Sequence, residues 1–105
     1  MAKRTFDAIV IGGGPAGEIA AGRLAERGGR DVVIVERELV GGECSFWACM
    51  PSKALLRPQE LLAEAARVPG AAQAVNGNGV DVVATLERRD AIINHLRDDN
   101  QLPWL

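Results

Sequence analysis

Cys44 and Cys49 lie in the run Gly41-Gly42-Glu43-Cys44-Ser45-Phe46-Trp47-Ala48-Cys49-Met50-Pro51-Ser52-Lys53, and they are the only cysteines in 105 residues. Two thiols held together can pass a pair of electrons by closing and opening a disulfide. Upstream, Gly12-Gly13-Gly14-Pro15-Ala16-Gly17 matches G-x-G-x-x-G, the pattern that cradles a dinucleotide pyrophosphate. A dithiol so near a redox nucleotide suggests electron exchange between the two.

The glycine pattern carries weight because of its setting: it follows a predicted strand and opens a predicted helix. Gly12 permits the tight turn, Gly14 lets backbone approach the pyrophosphate, and Gly17 lets helix and strand pack closely. The pyrophosphate would sit at the helix N-terminus, on free N–H groups and the positive end of the macrodipole. Glu36 closes the next predicted strand and is placed to accept hydrogen bonds from ribose hydroxyls.

The cysteine spacing is awkward for a bridge on regular helix. Five residues rise about 7.5 Å and turn through about 500°, so the side chains diverge. A disulfide needs Cα atoms within about 6.8 Å. Irregular backbone is therefore required. Pro51 supplies a cause, because it offers no N–H to the carbonyl of Trp47. Gly41-Gly42 adds freedom just before, so the segment is expected to start as a distorted turn and become regular helix after Pro51. Lys53, four residues past Cys49, would lower the pKa of a neighbouring thiol. An incidental pair and half of a metal site are the alternatives. The metal reading lacks partners, since His95 is the only histidine and lies far along the chain.

The elements that position these residues begin with a short apolar run, 6–11, read as a buried parallel strand. A helix is predicted over 15–27, with Pro15 in its first turn, an apolar face of Ile19, Ala20, Leu24 and Ala25, and Gly28-Gly29 as its stop. Val32-Val33-Ile34-Val35 is a second buried strand, which completes a βαβ unit and implies a parallel sheet. After a loop at 37–43, helical sequence runs from about 45 to 67, interrupted by Pro51 and Pro58. Pro58 would open a fresh helix with Leu61, Leu62, Ala65 and Ala66 as its buried stripe. Residues 71–80 read as loop, with a weak strand around 72–75. Asp81 would cap a last helix from 82 to about 98, with Val82, Leu86, Ile93 and Leu96 inside. His95 and the charged cluster Glu87, Arg88, Arg89 and Asp90 are expected on its solvated face.

The fold class is thus α/β, a Rossmann-like βαβ unit followed by a redox-disulfide helix and a further helix. Only two strong strands are found, and two strands leave edges unpaired. With Trp104 and Leu105 at the end, the sequence reads as a piece of a longer protein, an incomplete domain. Net charge is −2, which gives no electrostatic case for nucleic acid or an anionic membrane. No apolar run approaches the roughly 20 residues that span a bilayer. Met1-Ala2-Lys3-Arg4 imitates a signal-peptide start, but the apolar run after it is short and carries Asp7, so a cytoplasmic location is expected.

The glycine motif, Glu36 and the Gly-Gly-x-Cys-x4-Cys-x-Pro-Ser-Lys segment together resemble the FAD-dependent pyridine nucleotide–disulfide oxidoreductases. The resemblance is strong over residues 5–60, and the Pro-Ser-Lys ending looks most like the dihydrolipoamide dehydrogenase and mercuric reductase branches. It implies that residues 1–105 are the N-terminal part of an FAD-binding domain, with NAD(P) used by the full-length protein. FAD would contact Gly12, Gly14, Pro15, Ala16 and Gly17 through its pyrophosphate, and Glu36 and Arg37 on the adenosine side. Gly41 and Gly42 would lie near its inner part. Cys49 would face the flavin in a charge-transfer contact, Cys44 would be the interchange thiol, and Lys53 would sit near the flavin ring. The substrate would be a small disulfide or dithiol, or a lipoyl group. The full-length enzyme would be a homodimer whose C-terminal interface domain carries a His–Glu acid/base pair.

Where that family usually shows Thr-Cys-Leu-Asn-Val-Gly-Cys, this chain has Glu43-Cys44-Ser45-Phe46-Trp47-Ala48-Cys49. The thiol spacing is kept. Glu43 brings negative charge toward a phosphate site, and Phe46 and Trp47 add bulk. The competing readings are an NAD-dependent dehydrogenase with incidental cysteines, an FAD monooxygenase-type enzyme, and a stand-alone nucleotide-binding module. The first does not account for the double-glycine, dithiol and Pro-Ser-Lys run; thiol titration with and without NAD(P)H separates the second; the incomplete sheet stands against the third.

Overall fold

The computed structural model describes residues 3–75, 77 and 79–105. Met1 and Ala2 of the basic start, and Asn76 and Asn78 of the expected 71–80 loop, lie outside the described residues. The element order is β1 (Ala8–Ile11), α1 (Pro15–Gly28), β2 (Val32–Val35), α2 (Gly42–Phe46), α3 (Cys49–Ala66), α4 (Ala72–Val75) and α5 (Val82–Ile92). Two 3₁₀ turns follow, at Asn94–Leu96 and Leu102–Trp104.

β1 and β2 pair in parallel, with Ala8 opposite Val32 and Ile11 opposite Val35. The predicted strand 6–11 loses its first two residues. Asp7 instead clamps the foot of the sheet: its N–H donates to the Asp31 carbonyl at 2.8 Å, and its carboxylate accepts the Asp31 N–H at 2.9 Å. At the other end, Gly12 N–H donates to Val35 O at 2.8 Å. The α/β class and the βαβ order are as expected.

One face of this small sheet is open. Ile9 and Ile11 point away from α1, and Ile11 is 88% exposed. The face toward α1 is packed through small residues, with Ala21 buried and Gly17 and Leu24 half-buried. This corrects the predicted apolar face: Ile19, Ala20 and Ala25 are exposed. A helix lying close to a sheet presents its smallest side chains inward, so the bulkiest residue does not mark the contact. Gly29 ends α1 with φ 57°, and its N–H reaches Ala25 O at 3.0 Å. That is the expected glycine stop.

The chain extends over 67 × 28 × 18 Å with a radius of gyration of 20.1 Å. A compact domain of this length has about 13 Å. Among the described residues the buried large or aliphatic side chains are correspondingly few: Ala21, Phe46, Pro51, Ala54 and Ile93.

α3 runs unbroken through Pro58, where the sequence predicted an interruption. Proline cannot donate to the carbonyl four residues back, which here belongs to Ala54. Arg88 of α5 supplies the missing donor, its Nη1 lying 2.9 Å from Ala54 O. The break is repaired from another helix, and the same bond fastens α5 to α3. Arg88→Met should lower stability by about 1–2 kcal/mol, read as a reduced urea midpoint. Pro58→Ala restores the helical N–H, so most of that loss should vanish in the double variant.

Further corrections concern the last third. Residues 72–75 form a helical turn, α4, not a weak strand. Asp81 does cap α5, accepting the Ala84 N–H at 3.0 Å. However, α5 stops at Ile92 instead of 98. Asn94, His95 and Leu96 follow with φ of 50°, 53° and 58°, a left-handed path that ends a right-handed helix. Asn94 Nδ2 secures the turn by donating to Arg97 O at 3.1 Å and Asp99 Oδ1 at 2.6 Å. The inner face of α5 is also rotated from expectation. Val82, Leu86 and Leu96 are exposed, whereas Thr85, Arg89 and Asp90 are half-buried and Ile93 is buried. Leu62 and Ala65 line the inner side of α3 as predicted, but Leu61 and Ala66 are exposed.

Candidate functional site

The loop between β1 and α1 is held in one conformation by contacts on three sides. Gly12, with φ 104°, makes the turn. A Cβ on Gly17 would overlap the carbonyl oxygen of Gly12, so helix and turn meet at backbone distance. Pro15 opens α1 without an N–H, and the first-turn amides of Ala16 and Gly17 have no intrahelical acceptors. These amides and the helix dipole form an anion-binding end.

The third side comes from the double glycine, which the resemblance placed beside the inner part of the nucleotide but not against the turn itself. Gly41 N–H donates to Gly13 O at 2.7 Å. Gly42, with φ 62°, lies so close that a Cβ there would stand 2.8 Å from Gly14 Cα. The start of the dithiol segment therefore rests directly on the phosphate cradle. Gly41-Gly42 is needed for this close approach more than for loop freedom.

Glu36 closes the cradle from the β2 side. Its Oε2 accepts the Gly13 N–H at 2.6 Å and its Oε1 accepts the Glu38 N–H at 2.8 Å. These two bonds, that from Glu38 first, hold its pKa below the ordinary carboxylate value. The resulting stabilisation is present above that ordinary value and is lost as pH falls through the lowered one. Gly14, Glu36, Arg37, Glu38, Gly42, Glu43 and Trp47 line an open cleft of about 480 Å³. The structure thus gathers Gly14, Glu36, Arg37 and Gly42 of the expected nucleotide contacts in one cleft. It adds Trp47, which sequence reasoning treated only as bulk.

Cys44 lies in α2, and Cys49 is the first residue of α3. The elbow between them, Trp47-Ala48, is the irregular backbone that the spacing required. Regular helix resumes at Cys49, two residues before Pro51, so Pro51 sits in a first turn where its missing N–H costs nothing. Both cysteines are free thiols; Cys44 is half-buried and Cys49 exposed. Interaction with the Cys49 side chain is the main cause of a raised Cys44 pKa. Partial burial and the charge of Cys49 add to it, while the Lys53 ammonium opposes it. In the reduced chain, alkylation of Cys44 should accelerate only above the ordinary thiol pKa. Cys49→Ala should shift that midpoint downward, followed by mass-resolved alkylation across pH.

A second cavity, of about 440 Å³, lies on the other side of the elbow and is lined by Phe46, Trp47, Pro51, Arg89, His95 and Leu96 among others. Arg89 Nε stands 2.6 Å from Asp90 Oδ1, an ion pair without hydrogen-bond alignment. His95 is exposed on the left-handed turn, not on a helix face. Among the described residues no cluster of three or more His, Cys, Asp or Glu could hold a metal ion. Nor is any helix among them long and apolar enough to cross a membrane.

Comparison with known proteins agrees with this geometry. The family described as pyridine nucleotide-disulphide oxidoreductase matches residues 6–100. Dihydrolipoyl dehydrogenase of Chlamydia muridarum is 39% identical over 93 residues, which is 89% of this chain and 20% of that protein. Soluble pyridine nucleotide transhydrogenase of Chromohalobacter salexigens is 49% identical over 55 residues, 52% of this chain and 12% of that protein. Dihydrolipoyl dehydrogenase of Rhizobium etli is 50% identical over 58 residues, 55% of this chain and 12% of that protein. The chain spans about a fifth, or less, of the length of these relatives. With a glycine cradle, a dithiol elbow seated on it and a family match across most of its length, the chain belongs to the pyridine nucleotide–disulfide oxidoreductases.

Proposed function

We propose that the full-length protein is an FAD-dependent enzyme that moves two electrons between NAD(P)H and a disulfide or dithiol substrate through Cys44 and Cys49. The observation that carries this reading is the seating of Gly41-Gly42 on Gly13-Gly14, which joins the dithiol segment to the nucleotide cradle. The cradle fits FAD chemically. Small backbone-lined turns admit a pyrophosphate, the α1 amides meet its charge, and Glu36 and Arg37 border the adenosine side. Gly41 and Gly42 border the route from there toward Cys49 and Lys53. When bound, the flavin supplies a two-electron carrier between nicotinamide and sulfur.

The chain's own work is thiol exchange. In the reducing direction, Cys44 gives up its proton and its sulfur attacks one sulfur of the substrate disulfide. A mixed disulfide forms, and the first substrate thiolate leaves and takes a proton. Cys49 then gives up its own proton and its thiolate attacks the Cys44 sulfur, the second substrate thiolate leaves and is protonated, and a Cys44–Cys49 bridge remains. The substrate has gained two electrons and two protons, and the cysteine pair has lost them. Electrons from NAD(P)H reopen the bridge. The raised pKa of Cys44 means that its attack needs a base. The family resemblance supplies one from the interface domain of a homodimer. The substrate class includes a lipoyl group, the one named by the dihydrolipoyl dehydrogenase relatives. Hydride exchange between two nicotinamides, the activity named by the transhydrogenase relative, needs no dithiol. The paired Cys44 and Cys49 favour the disulfide reading.

Anaerobic thiol titration of the denatured full-length protein, before and after NAD(P)H, tests this proposal. Two additional thiols should appear after reduction. An unchanged count would remove the dithiol from the electron path.

A further inference from the structure

We infer that Trp47 is an aromatic wall of the nucleotide cleft, placed to lie against the adenosine half of the bound dinucleotide. This rests on the reading of the cleft given above. Glu43 and Trp47 stand four residues apart on and just beyond α2, so they share one side of it. Both line the cleft that Gly14, Glu36 and Gly42 form. Phe46 does not line this cleft and is buried. Its ring braces the indole edge-to-face, with centroids 5.8 Å apart and planes at 60°. The indole is thus fixed from behind and remains 46% exposed in front. Glu36, Arg37 and Glu38 line the same cleft, so the indole shares it with the residues proposed for the ribose side.

Charge shows why such a wall is needed. The lining carries three carboxylates, Glu36, Glu38 and Glu43, against one guanidinium, Arg37. Glu36 is held by two backbone amides, and Arg37 is paired with Glu38 at 3.1 Å. Glu43 is left facing an anionic ligand. The α1 amides are placed to attract a pyrophosphate, whereas the side chains lining the cleft carry a net negative charge. A braced indole adds contact with a flat ring or ribose, an interaction worth roughly tenfold or more in affinity. Trp47 also borders the second cavity, beside Pro51, Arg89 and His95. The indole therefore partitions the two spaces.

Apoprotein prepared from the full-length enzyme is titrated with FAD and, separately, with ADP, with binding followed by calorimetry and tryptophan emission. ADP carries the adenosine and pyrophosphate but no flavin, so it separates this inference from the flavin assignment. Trp47→Val should weaken both ligands about tenfold and remove most of the emission change. Trp47→Phe should recover much of the affinity. Trp47→Val binding both ligands as wild type does would overturn the inference, and so would loss of FAD affinity alone with ADP unchanged. Equal weakening by valine and phenylalanine would assign Trp47 a packing role and overturn it too. If the wild type bound ADP but no FAD, the flavin reading would fail, and the ADP series would still decide whether Trp47 is the wall.

Discussion

Cys49→Ser in the full-length enzyme should keep its FAD and lose NAD(P)H-driven disulfide reduction by more than about a thousandfold, the expected result if a covalent relay is removed. Cys49 opens α3, and its side chain interacts with that of Cys44. A serine oxygen fills nearly the same space but cannot close a bridge to the Cys44 sulfur. The mixed disulfide formed at Cys44 then has no resolving thiol. FAD is retained because the cleft is lined by Gly14, Glu36, Gly42, Glu43 and Trp47, without Cys49. Flavin-to-protein absorbance ratios and steady-state rates check both halves. Near-normal turnover would show that Cys49 is not on the electron path.

Gly17→Ala should cost about 3 kcal/mol or more, because overpacking here meets backbone and not a movable side chain. The added methyl group would occupy the position of Gly12 O. The turn cannot step aside. Gly12 is tied to Val35 at 2.8 Å, Gly13 to Gly41 at 2.7 Å and to Glu36 at 2.6 Å. Either α1 lifts from the sheet or the cradle opens, and in both cases the pyrophosphate loses its amides. Gly22→Ala is the internal control. It lies in the same helix with nothing within 4 Å of its Cβ position, so it should stabilise by about 0.5–1 kcal/mol. Urea midpoints and FAD content of the two variants should therefore move in opposite directions. A Gly17→Ala protein as stable and as yellow as wild type would contradict the close packing of turn and helix.

The parts legible in the sequence were those set by local chemistry. Pro15 and Gly29 bound α1, Asp81 caps α5, and Cys44 and Cys49 demanded an elbow that Trp47-Ala48 provides. The parts missed depend on partners distant along the chain. Pro58 reads as a break until Arg88, 30 positions later, donates to Ala54 O. Gly41-Gly42 reads as slack until it is seen pressed on Gly13-Gly14. The inner faces of α1 and α5 were misread because large apolar residues were taken as the buried ones. Ile19 and Val82 face outward, while Ala21 and Arg89 face neighbours. Trp47 was missed for a related reason: a half-exposed aromatic residue carries no periodic signal, and only the cleft shows what it borders.

The most direct test is the visible spectrum of the full-length protein during stepwise anaerobic reduction. A bound flavin should gain a long-wavelength charge-transfer band at two electrons per cofactor, and Cys49→Ser should abolish that band while keeping the flavin. A flavin that bleaches in one step with no such band in the wild type would show that the Cys49 sulfur does not touch it.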